Sequence, residues 1–74
     1  MMTLEADPIA RTEHLESVIQ KRSGRQVHDL RVAFVEGGLI LRGQARTFYA
    51  KQLAQHAAME ITGLLVQANE IEVE

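Results

Sequence analysis

The sequence predicts an α+β fold, a two-layer domain of order helix-strand-strand-helix-strand, with a three-stranded mixed sheet and both helices on one of its faces. Three observations carry that expectation. Apolar residues recur at helical spacing in two separate segments, one ending near Arg22 and one running from Thr47 to Gly63. Between those segments the period drops to two, and the alternation is interrupted at Glu36-Gly37-Gly38. A final alternating run follows the second helical segment, and a strand-helix-strand path within one sheet takes a right-handed crossover.

The first helix is expected to start at Asp7-Pro8, where the Asp7 carboxylate can cap free amides and Pro8 gives up a donor that has no intrahelical acceptor. Ile9, Leu15, Val18 and Ile19 form its apolar stripe, and Ser23-Gly24 ends it, with Lys21 and Arg22 in the last turn where the dipole favours cations. Leu30, Val32 and Phe34, set between Arg31, Ala33 and Val35, read as a strand that buries Phe34 with its neighbours. Glu36-Gly37-Gly38 is the hairpin turn, and Leu39 and Leu41 carry the alternation into a second strand. Gly43 falls on the core side of that strand, where a missing side chain makes room for helix packing.

The second helix has the clearest periodicity: Ala50, Leu53, Ala54, Ala57, Ala58 and Ile61 share one face, capped by Thr47 and stopped by Gly63. Its alanines let it lie close to the sheet. Residues 66 to 73 form the third strand, with Ile71 and Val73 inward between Glu70, Glu72 and Glu74, glutamates that suit a sheet edge.

Seventy-four residues make a single domain spanning 1–74, and one of this size buries only roughly 60% of its unfolded surface. Residues 1–7 are expected to be flexible. Without cysteine there is neither a disulfide framework nor a thiolate metal site. No signal peptide is visible, which makes a cytoplasmic location the default expectation. The net charge of −2 conceals an asymmetry: residues 21–51 hold seven of the eight Lys and Arg against Asp29 and Glu36, a net +5, and the rest carries −7.

From residue 28 onward the chain resembles the BON domain, the bacterial osmotic-shock and nodulation module. The residues that carry the resemblance are Leu30-x-Val32, Gly37, Leu39-x-Leu41-x-Gly43, then Thr47, Lys51, Ala54, Ala58 and Ile61. Gly63-Leu64 and Asn69-x-Ile71-x-Val73 close the pattern. One position departs from it: Gln67 stands where the family usually has an apolar residue. The resemblance implies an accessory, non-enzymatic module that associates with phospholipid membranes or with proteins, in a family connected with stress response and often periplasmic or membrane-associated.

The residues point to no catalytic site, cofactor or metal. His14, His28 and His56 fall on different elements with no i, i+4 partner, and His28-Asp29 has no nucleophile in a recognisable motif beside it. Three aromatics and a negative overall charge disfavour nucleic acid.

Two surfaces are candidates for binding. Arg46, Thr47, Phe48, Tyr49 and Lys51 open the second helix, where free amides favour an anion and two rings suit a lipid headgroup boundary. Ala33, Val35 and Ile40, joined by Val66 and Ala68, make an apolar patch on the sheet face away from the helices. The expected partner is an anionic phospholipid surface through the first. The alternative is a protein partner or a homodimer through the second, and salt dependence distinguishes the two.

Overall fold

Alternating strands packed against two amphipathic helices produce the expected order. The computed structural model describes residues 8–74, with side chains from residue 11 onward. The Asp7 cap, the Ile9 side chain and the flexibility expected of residues 1–7 lie outside the described residues. Helix α1 (Pro8–Arg22) is followed by β1 (Val27–Val35), β2 (Gly38–Ala45), α2 (Phe48–Thr62) and β3 (Val66–Val73). The sheet order is β1-β2-β3, with β1 antiparallel and β3 parallel to the central β2. Both helices cover one face, and Ile19, Leu39, Leu41 and Ile71 fill the layer between, each no more than 1% exposed.

The helix ends are closed by the residues expected to close them. Ser23 Oγ donates to the Ile19 carbonyl at 2.8 Å, and the Arg25 N–H reaches back to Gln20 O at 2.7 Å. Thr47 Oγ1 accepts from Ala50 N at 3.0 Å, and the Gly63 N–H donates to Met59 O at 2.8 Å. Ala50, Ala54, Ala57 and Ala58 are the buried residues of α2, so the helix packs on the sheet through methyl groups.

Several expectations about β1 and its neighbours are corrected. Val27 and Leu30 are both buried although three residues apart, because a bulge between His28 and Arg31 places Asp29 at φ 53 and resets the alternation. This bulge, and not helix packing, accounts for Gly43. A Cβ there would lie 2.9 Å from His28 O and from Val27 Cγ1, and 3.3 Å from Leu30 Cα. Phe34 is 51% exposed, not buried; it pairs with Leu39 at the hairpin end, where the helix layer gives only partial cover. Val73 is 43% exposed for a similar reason, as the last residue of an edge strand.

The start of β3 has its own irregularity. Leu39 pairs with Val66 and Ile40 with Ala68, so Gln67 is the extra residue of a register shift. Its Nε2 donates to Gly37 O at 2.8 Å, tying β3 to the hairpin turn. Gly38 sits in that corner, and any side chain on it would run into the Leu65 carbonyl. The shift also moves Val66 to the helix side, where it packs against the core; it does not join the open sheet face.

Candidate functional site

The end of the sheet where β2 passes into α2 gathers the first group of candidates. Ala45 is buried, and the chain then turns outward so that Arg46, Thr47, Phe48 and Tyr49 are all exposed. Phe48 is 61% and Tyr49 67% exposed, so the rings stand in solvent and do not seal the sheet end. Thr47 is committed to its capping bond. Lys51 is half-buried, with its carbonyl accepting from Asn69 Nδ2 at 3.2 Å.

Charge at this end is only partly compensated. The first turn of α2 holds no acidic residue to offset the positive end of its dipole. Among the described residues the ion pairs are Arg22–Glu60 and Arg42–Glu70, neither of which involves Arg46 or Lys51. Because Val27 pairs with Ala45, the turn that carries exposed Arg25 arrives at the same end. One carboxylate arrives there as well: Glu74 follows β3, and its N–H donates to Ala45 O at 2.9 Å.

The second group lies on the sheet face that no helix covers. Strand register arranges it in rows. Ala33, Ile40 and Ala68 stand abreast across the three strands, with Val35 beside Gly38 toward the hairpin. Arg31, Arg42 and Glu70 form the next row, followed by His28, Gln44 and Glu72. Arg31 and Arg42 are directly opposite each other, an unfavourable like-charge pair. Glu70 relieves only one of them, through a 2.8 Å bond from Arg42 Nε.

Features not anticipated from sequence frame these surfaces. Glu16 of α1 accepts the Val32 N–H at 2.8 Å, so the helix occupies part of the outer edge of β1. Asn69 joins α2 to β3, donating to Lys51 O and to Gln55 Oε1 while its own Oδ1 accepts from Ile71 N. Phe34, Leu64 and Leu65 leave an apolar cluster near the hairpin end. His14, His28 and His56 are exposed on three different elements, and no group of three metal-ligating side chains occurs among the described residues. No helix among those residues is long and apolar enough to cross a membrane. No family model, curated protein or solved structure matches the chain.

Proposed function

We propose that this protein is a BON-like, non-enzymatic binding module that associates with anionic phospholipid surfaces through the start of α2. One observation carries the reading: Phe48 and Tyr49, adjacent and 61% and 67% exposed, stand beside an exposed Arg46 that forms no ion pair among the described residues. Amphipathic rings gain by entering the headgroup boundary, while Arg46, Lys51 and the free end of the α2 dipole attract the phosphates. The charge contribution is about 1 kcal/mol for each basic residue near an anionic surface.

Co-sedimentation with anionic and with zwitterionic vesicles, at low and at physiological salt, tests this reading. Binding should require anionic lipid and weaken as salt rises. Arg46→Glu combined with Lys51→Glu should lower affinity by about 30-fold or more, since two contributions of about 1 kcal/mol are lost. Vesicle binding that is absent, or indifferent to both lipid charge and this double substitution, overturns the proposal.

A further inference from the structure

We infer that the uncovered sheet face is a self-complementary interface for a second copy of this chain, with a two-fold axis parallel to β2. The inference is independent of the lipid reading and rests on the row register. A rotation of 180° about an axis along the central strand lays β2 on its counterpart and β1 over β3 of the other copy. It involves no shift along the axis, so every row must meet itself. Ala33 then faces Ala68 of the second copy, and Ile40 faces its own equivalent. Arg31, which forms no ion pair among the described residues, faces Glu70, and His28 faces Glu72.

The charges favour this arrangement over one with the axis across the strands. On each copy the two charged rows hold Arg31 and Arg42 on β1 and β2, and Glu70 and Glu72 on β3. Exchanging β1 with β3 across the interface brings Arg31 over Glu70 of the other copy, while Arg42, held by its own Glu70 at 2.8 Å, meets its own equivalent and the bulged Asp29 adds a carboxylate on the β1 side. A two-fold axis running across the strands would instead lay β1 on β1. Arg31, Arg42 and Glu70 would then each meet their own equivalents, or the apolar row would meet the charged one. Small side chains at Ala33 and Ala68, with Gly38 in the adjoining row, let two such sheets approach in the aligned packing mode, with strand directions within about 30° of each other.

The size of the face sets the expected strength. Three strands about 4.8 Å apart and eight or nine residues long at about 3.3 Å each span a face on the order of 400 Å² per copy, about 800 Å² in total, which is below the roughly 1,000 Å² of a stable interface and fits a transient one. The association should accordingly be weak and reversible.

Sedimentation equilibrium from about 10 μM to about 1 mM, a range that brackets a weak small interface, should show the mass rising from 8.3 kDa toward twice that value. Ile40→Lys should hold it at the monomer value. Charge reversal tests the register without disturbing buried residues: Arg31→Glu alone and Glu70→Arg alone should each weaken self-association by at least tenfold. An equimolar mixture of the two variants should recover it, because residue 31 of each variant then faces residue 70 of the other with opposite sign. Circular dichroism verifies that each variant is folded. Monomer mass at every concentration overturns the inference, as does self-association that survives both single reversals or a mixture that fails to recover it.

Discussion

Gly43 concentrates the local strain of the fold in one position. Its φ of 153 and the backbone of the β1 bulge, with His28 O at 2.9 Å from where a Cβ would stand, leave no room for a side chain. Gly43→Ala must therefore displace the bulge or the strand, at a cost of about 1–3 kcal/mol. For a chain of this size the melting temperature should fall by roughly 4–8 °C per kcal/mol, read directly by thermal unfolding. Asp29 is the other half of the device: its residue type tolerates the φ of 53 that the bulge demands. The pair of apolar residues three apart, Val27 and Leu30, with His28-Asp29 between them, is the signal by which the bulge could have been found in the sequence. Glu16 and Asn69 offered no such signal, since their acceptors and donors come from elements 16 and 18 residues away in the chain.

Among the elements, α2 joins stability to the proposed function. Its inner face is alanine, and its first turn presents Phe48 and Tyr49 outward because Thr47 fixes where the helix begins. Thr47→Ala removes the oxygen that accepts Ala50 N at 3.0 Å and should cost about 1 kcal/mol, with Thr47→Ser retaining most of the stability. Chemical denaturation should show the midpoint shift with an unchanged slope. The strands divide their duties differently: β2 is central and supplies Leu39 and Leu41 to the core, while β1 and β3 are edges that keep their charged rows on the uncovered face. The surface pair Arg42–Glu70 adds little to stability, being exposed on both sides.

At the scale of the whole molecule the two proposed surfaces reinforce each other. A two-fold axis along β2 preserves strand direction, so in a dimer both copies of Arg46, Phe48 and Tyr49 lie at the same end and can meet one membrane together. Two tips acting together raise apparent affinity without new contacts, by up to the 10²–10⁴ range in favourable geometry, roughly. Ile40→Lys, remote from those tips on the sheet face, should therefore weaken vesicle binding by at least tenfold at protein concentrations where the unmodified chain is dimeric. Flotation or co-sedimentation across a protein dilution series measures this. Unchanged vesicle affinity in the monomeric variant would separate the two surfaces and leave each to stand alone.

The sequence by itself determined the element order, the two helix stops, the Thr47 cap, the hairpin and the core contributed by α2, because each depends on local spacing and on residues within a turn of one another. It also held both candidate surfaces: the run from Arg46 to Lys51 is contiguous, and Ala33, Val35 and Ile40 follow from strand alternation. Tertiary structure alone decided which apolar residues are free and which are covered. Phe34 proved exposed because the helix layer gives out at the hairpin end, and Val66 turned inward because the register shift at Gln67 changes its side. The alignment of Arg31, Arg42 and Glu70 in one row likewise came from pairing between strands 11 and 28 positions apart. Alternation assigns a residue to a face, but only register, set by turns, bulges and the crossover together, decides which charges on that face stand side by side.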